Sequence, residues 1–243
     1  MRIPLTKYGW RELLLMTAVC AVLAAASAVV FWPAAVLPVA AWLFVVQFFR
    51  DPERRPAEEG ALLSPADGTV ADITPVGADG PLGRPGTRVG IFMSVVSVHV
   101  NRSPCACTVR KVEHHDGGFV DARRPEASEV NESATIWLEL PGREAPRTIV
   151  LRQIAGLIAR RIVTDLRPGQ ALSAGERIGM IKFGSRCELL VPQELVGEVA
   201  VRLGQRVYGG RTVLVRPPAA ANGPFGGGGL GAGDERSPAG QQG

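Results

Sequence analysis

A chain of 243 residues can hold one catalytic domain with its own hydrophobic core. Hydrophobic residues make up 46% of it and the formal net charge is +4, a balance that suits contact with an anionic lipid surface. The charge comes with no recognisable nucleic-acid motif, so nucleic acid is not expected as a partner. Of the four cysteines, Cys20 lies in an apolar segment, Cys105 and Cys107 form a lone Cys-X-Cys, and Cys187 stands apart. No second pair at zinc spacing exists, and these residues read as small buried side chains of a reduced, cytoplasmic-side domain.

In chain order, the hydrophobic excess comes first. Leu13–Trp32 is uncharged and about long enough to span a bilayer. Pro33 breaks it. A second apolar run, Ala34–Phe49, contains Pro38 and is short for a full span. Arg2, Lys7 and Arg11 precede the pair, and Arg50, Arg54 and Arg55 follow it. Positive charge on both outer flanks places both ends on the cytoplasmic side of a cell membrane. Two spans and a shallow re-entrant hairpin both satisfy this pattern. The small residues Ala24–Ala28 offer a signal-peptide reading, but the apolar stretch runs well past them. Residues 1–49 are therefore predicted to be a membrane-associated apolar hairpin.

Residues 50–60 read as a linker and residues 61–216 as the catalytic domain. Strands are predicted at Thr69–Val76, Arg88–Val95, Thr108–Val112, Ala134–Leu140, Thr148–Ile154, Ile178–Phe183 and Cys187–Val191. A helix is predicted around Pro125–Ser133. The fold class is mainly β (α+β), a compact sheet domain of short antiparallel strands behind a helical hairpin. Residues 217–243 are rich in Gly, Pro and Ala, with a glycine run at Gly226–Gly229, and are predicted to be a disordered tail.

Three runs carry the chemistry. The strand-like Arg177–Phe183 leads straight into Gly184-Ser185, and an apolar strand follows. Alone, a Gly-Ser pair is an ordinary turn. A tight bend between two strands, however, strains the peptide and exposes its carbonyl. Glycine on the acyl side leaves that carbonyl open to the adjacent hydroxyl. His99 lies in the apolar run Ile91–Val100, where alternation places Ser97, His99 and Asn101 on one face and Val98 and Val100 on the other. Such a polar stripe suits a cleft wall. Ser64-Pro65-Ala66-Asp67-Gly68 supplies a carboxylate in a turn. A carboxylate, an imidazole and a serine next to glycine form a candidate nucleophile system. His114 and His115, before Asp116 and two glycines, read as a solvated turn, and no metal site is predicted.

These runs closely resemble the phosphatidylserine decarboxylase family in its short bacterial form. Phe48-Phe49-Arg50-Asp51-Pro52, Arg152-Gln153-Ile154-Ala155-Gly156 and Ala159-Arg160-Arg161-Ile162-Val163 also look like family sequence. The resemblance implies that the Gly184-Ser185 bond cuts itself, leaving fragments 1–184 and 185–243 as a heterodimer. Ser185 then becomes a covalent pyruvoyl cofactor that forms a Schiff base with the amine of phosphatidylserine. It also implies that Asp67 orients and charges His99, which activates Ser185. Longer members carry a second histidine where this chain has Arg102, which leaves His99 for both cleavage and decarboxylation and makes Arg102 a candidate substrate-binding residue. Ser133 stands where an arginine is more usual. The implied product is phosphatidylethanolamine; a related serine-headgroup lipid is the alternative substrate.

Two readings come from other classes. Gly175–Lys182 suggests a biotinyl- or lipoyl-type carrier, but Lys182 lies in an apolar strand approach and not at a hairpin tip. The Pro-Ala-Asp-Gly turn also suggests a cell-wall metallopeptidase, which needs a His-X-His pair that His99-Val100-Asn101 does not supply.

Overall fold

The computed structural model describes residues 5–142, 147–157, 161–182 and 184–218. The N-terminal apolar run folds as a helical hairpin of α1 (Trp10–Phe31) and α2 (Val36–Phe48), joined by a short 3-10 turn, Trp32–Ala35. Pro33 sits in the first positions of that turn, where its missing N–H costs nothing and its fixed φ starts the new segment. The hairpin is apolar all round: Leu15, Val22, Val29, Val30, Trp32 and Leu37 are exposed. Trp42 Nε1 donates to Thr17 Oγ1 across it at 3.1 Å. The segment Lys7–Phe48 is long and apolar enough to cross a membrane by length and composition. By itself α2 is about 20 Å long, short of the ~30 Å hydrocarbon core.

The base of the hairpin is not a separable boundary. Thr6 N donates to Phe49 O at 2.9 Å, and Leu5 bridges Arg50. Phe48 and Phe49 are buried and pack with Leu13 and with Met180 of the β domain. Gly9 lies so close to the Phe49 ring that a Cβ there would meet it at 2.0 Å. The expected edge at residue 49 thus falls inside packed structure, because two adjacent phenylalanines gain more from burial than a linker allows. Residues 50–60, expected as a linker, are likewise strapped down. Buried Asp51 pairs with Arg102 through Oδ1 at 2.6 Å and with Arg177 through Oδ2. Arg54 pairs with Asp67 at 2.9 Å.

The β domain runs β1 (Leu62–Leu63), β2 (Gly68–Val76), β3 (Gly86–Met93), β4 (Val100–Arg102), β5 (Cys107–His115) and a short α3 (Ala127–Val130). Then follow β6 (Ser133–Leu140), β7 (Arg147–Ile154), β8 (Ile162–Thr164), β9 (Ala171–Leu172), β10 (Arg177–Ile181) and β11 (Ser185–Pro192). The last are β12 (Glu198–Val199), β13 (Arg206–Val207) and β14 (Val213–Arg216). An eight-stranded antiparallel sheet has the order β13-β2-β3-β11-β7-β6-β5-β9. Two three-stranded sheets, β1-β14-β12 and β4-β10-β8, complete the domain. The architecture is mainly β with an N-terminal helical hairpin, as expected. Val70, Ile91, Ile136, Leu151 and Leu189 meet in one core, each fully buried aliphatic chain stabilising the fold by about 1.5–3 kcal/mol.

Four details differ from expectation. The apolar run Ile91–Val100 is not one strand. It ends at Met93, and Ser97 N closes a turn on Ser94 O at 2.8 Å while the two hydroxyls sit 3.1 Å apart. Consequently Ser97, Val98, His99, Val100 and Asn101 are all buried, and the expected polar cleft wall does not form. His114 and His115 end a strand instead of forming a turn, and the predicted helix narrows to Ala127–Val130. Phe183, Ala159-Arg160 and the tail beyond Pro218 lie outside the described residues.

The Asp51 strap yields a prediction. Arg102→Ala leaves a carboxylate whose side chain is 5% exposed with one partner fewer. The expected loss is about 3 kcal/mol of folding stability, read as a lower denaturant midpoint at unchanged slope.

Candidate active site around Gly184 and Ser185

The chain leaves the β4-β10-β8 sheet at Ile181 and enters the large sheet at Ser185. Gly184 makes the bend at φ +60°, in the left-handed region that glycine adopts without a Cβ penalty. From Ser185 onward, β11 is held on both sides. Ser185 pairs with Met93 of β3, and Arg186 with both Phe92 of β3 and Ile154 of β7.

Ser185 is fully buried, and its Oγ donates to Met93 Sδ at 3.4 Å. Asn101 Nδ2 reaches the same sulfur at 3.7 Å, and Gln153 Nε2 donates to Asn101 Oδ1 at 2.8 Å. The Gly184 carbonyl lies over Gly156. A Cβ at 156 would stand 2.1 Å from Gly184 O and 3.2 Å from Ala122 Cβ. Gly156 is thus glycine for close approach and not for its backbone angles. Met93, Asn101, Gln153 and Gly156 were not expected as site residues. Gly156 closes the Arg152–Gly156 run, and Asn101 shares a predicted face with His99. Met93 gives no sequence signal.

His99 is fully buried under Phe48, with ring centroids 4.2 Å apart. Its Nδ1 lies 2.9 Å from Ser97 O. A carbonyl only accepts, so Nδ1 carries the proton and Nε2 the lone pair. Nε2 has no hydrogen-bond partner among the described residues. Burial pulls the imidazole pKa down to about 4, the Ser97 carbonyl opposes this, and the charge of Arg50 adds to it. His99 is therefore a neutral base at physiological pH.

Asp67 does not bond to His99. Its Oδ1 accepts from Gly209 N at 2.7 Å, and its Oδ2 accepts from Arg54 at 2.9 Å. Burial raises its pKa against the pull of Arg54 and Gly209. Arg50 is the group whose charge acts on both: Asp67 supports its cation, and the cation disfavours charging His99. Arg50 donates to Gln47 O at 2.6 Å and Val96 O at 2.8 Å, at the base of the hairpin. Arg102, expected to bind substrate, gives its Nη atoms to Asp51 (2.6 Å), Pro52 O (2.8 Å) and Gly175 O (3.0 Å). In this structure its guanidinium is buried and held by Asp51 and two backbone carbonyls. Ser185 and His99 make no hydrogen bond to each other.

A buried hydroxyl follows a glycyl carbonyl held on a bend, and a neutral imidazole is buried in the same domain. This set suits intramolecular acyl transfer. Comparison with known proteins agrees. The family model for phosphatidylserine decarboxylase matches residues 42–215. The phosphatidylserine decarboxylase proenzyme of Carboxydothermus hydrogenoformans is 46% identical over 176 residues, 72% of this chain and 80% of that protein. The proenzyme of Rhodopirellula baltica is 40% identical over 215 residues, 88% of each chain. That of Solibacter usitatus is 42% identical over 198 residues, 80% of this chain and 91% of the relative. The chain belongs to the phosphatidylserine decarboxylase family.

Two predictions follow from this geometry. Gly156→Ala places a methyl against the Gly184 carbonyl without straining its own backbone. Overpacking of about 1–3 kcal/mol at the reacting carbonyl slows self-cleavage roughly tenfold to a hundredfold, scored on gels of a folded variant. The second concerns pH. His99 titrates near 4 when folded and near 6.5 when unfolded. Above about pH 6.5 it is neutral in both states and costs nothing. Between about pH 6.5 and 4 only the unfolded chain takes the proton, so stability falls by up to about 3 kcal/mol. Denaturation curves across that window should show a shallower decline for His99→Gln.

Proposed function

We propose that this chain is a self-cleaving proenzyme whose mature form converts phosphatidylserine to phosphatidylethanolamine at the cytoplasmic face of the cell membrane. The carrying observation is the Gly184 carbonyl, presented on a left-handed bend over Gly156 and followed directly by buried Ser185. Family membership supports the same reading.

Cleavage begins when Ser185 Oγ turns from the Met93 sulfur and attacks the Gly184 carbonyl carbon. His99 Nε2 takes the hydroxyl proton and returns it to the departing amide nitrogen. An ester replaces the amide. Removal of the Ser185 α-proton expels the Gly184 carboxylate, and hydrolysis of the resulting dehydroalanyl end releases ammonia and leaves a pyruvoyl group. The neutral state of His99 supports its role as the first base, and the Ser97 carbonyl holds the tautomer that exposes Nε2.

The residues around position 185 fit such a group. Gln153 Oε1 and His99 Nε2 are buried polar atoms without partners among the described residues, and both are acceptors able to steer a protonated amine. Met93, Asn101 and Gln153 would flank the group. When formed, it supplies a ketone electron sink for loss of carbon dioxide. The β3 and β7 ladders keep the smaller fragment in place after the chain is cut. The exposed apolar hairpin, with arginines at both ends, would hold the site against the lipid.

The test is the intact mass and gel pattern of purified protein. Fragments 1–184 and 185–243 should form without added protease, the smaller lacking a free amino terminus. Borohydride with phosphatidylserine should label that fragment. Ser185→Ala should remain whole and inactive, and His99→Ala should mature roughly 10²–10⁴-fold more slowly. Uncut but active protein would refute the reading.

A further inference from the structure

A cavity of about 720 Å³ lies between the base of the hairpin and the β domain. One wall comes from the start of α1, with Arg11, Leu14 and Leu15; the other comes from Arg161, Val163 and Lys182. Resting on the function proposed above, we propose that this cavity takes the phosphate diester of the lipid substrate, with an acyl chain laid along Leu14 and Leu15.

Charge supports an anion here. Lys182 is paired with Glu12 at 2.5 Å and Lys7 with Asp165 at 3.1 Å, so these four groups cancel. Arg11 and Arg161 also line the cavity, and no carboxylate of the described residues lies within ion-pair distance of either. The lining thus sets four cations against two carboxylates, and although Arg161 also acts on Glu12, the surplus positive charge matches a phosphodiester, whose oxygens accept the forked donors that arginine presents. The apolar wall separates a lipid from free phosphate. Leu14 and Leu15 are 54% and 65% exposed and run without a break into exposed Val19, Val22 and Leu23. An acyl chain on that strip would leave the cavity along the hairpin, in the direction that reaches the membrane. Trp10, at the cavity rim and 55% exposed, is of the residue type that settles at a membrane–water interface. One lining residue, Lys182, follows β10 directly and lies two residues before Gly184 in the chain.

The experiment uses the full chain in two forms. With the mature enzyme and monomeric short-chain phosphatidylserine, Arg11→Gln and Arg161→Gln should each raise KM about tenfold, with kcat per pyruvoyl group within about twofold. Arg→Lys at either position should recover part of the loss. With uncut Ser185→Ala, short-chain phosphatidylserine brominated on its acyl chain should quench tryptophan fluorescence. Trp10→Phe should remove that quenching, and either Arg→Gln change should shift its midpoint about tenfold. An unchanged KM together with an unchanged midpoint would overturn the assignment. So would inorganic phosphate competing as well as the lipid, or an effect seen only on vesicles and absent with monomeric substrate. Failure of the proposed function looks different: the uncut protein would still bind the lipid, but wild-type protein would not decarboxylate it.

Discussion

Everything at this site depends on the double ladder that grips β11 from its first residues. Ser185 pairs with Met93, and Arg186 pairs on both sides. A strand clasped this way cannot slide, so strain from joining it to a different sheet collects in the connection. Gly184 absorbs it in the left-handed region. The same clasp lets the Gly184 carbonyl approach Gly156 closely, because β7 delivers Gly156 two residues after Ile154. Sequence thus sets a local conformation, and packing fixes the direction of the Gly184 carbonyl.

The hairpin is joined to this site through its base. Phe48 ends α2 and lies on the His99 ring, while Arg50, just beyond it, acts electrostatically on both His99 and Asp67. Asp51 then ties the chain to Arg102 and Arg177. The apolar hairpin, His99 and β10 therefore meet at one short stretch, residues 48–51. Removing the hairpin at residue 49 would take away Phe48 and uncover His99. A buried histidine stays neutral only while its cover keeps water out.

The β domain was largely legible because its strands carry their pattern locally. Thr69–Val76, Ala134–Leu140 and Thr148–Ile154 were read within two residues of β2, β6 and β7. The turn at Ser94–Ser97 was missed, since it is closed by serines inside an apolar run and not by glycine or proline. At the site, the bend at Gly184 was legible because glycine and serine interrupt two apolar strands. The partners of Asp67 and Arg102 were not. Those are chosen by tertiary placement: Gly209 is 142 positions from Asp67, and Asp51 is 51 from Arg102. No periodicity encodes which of several arginines reaches a given carboxylate. Arg54 took the place expected of His99 because it carries a permanent charge, whereas charging the buried imidazole would cost its desolvation.

Burial at position 185 also bears on why the serine should be converted and not merely released. Simple hydrolysis would leave an α-ammonium at a fully buried residue, beside a methionine sulfur and with no carboxylate bonded to Ser185 among the described residues. An isolated charge in such a place costs several kcal/mol and would push the strand out of its ladder. The keto end proposed above would carry no charge and would leave β11 in its ladder. Next to it the chemistry reverses. Arg186 and Glu188 are also buried, but as a network: Arg186 bonds Glu188 at 2.8 Å and Asp72, and Ser128 donates to Glu188 at 2.6 Å. Burial alone would raise the Glu188 carboxyl, but Arg186, Ser128 and Arg152 outweigh it and hold the carboxyl below its ordinary range. The start of β11 thus has an uncharged side chain at Ser185 and a satisfied ion cluster through Arg186 and Glu188, one and three residues on. The proposed cleavage would create a chain end in the interior of a folded protein, where conversion to a keto group would remove the charge at risk and the neighbouring charges are already paired.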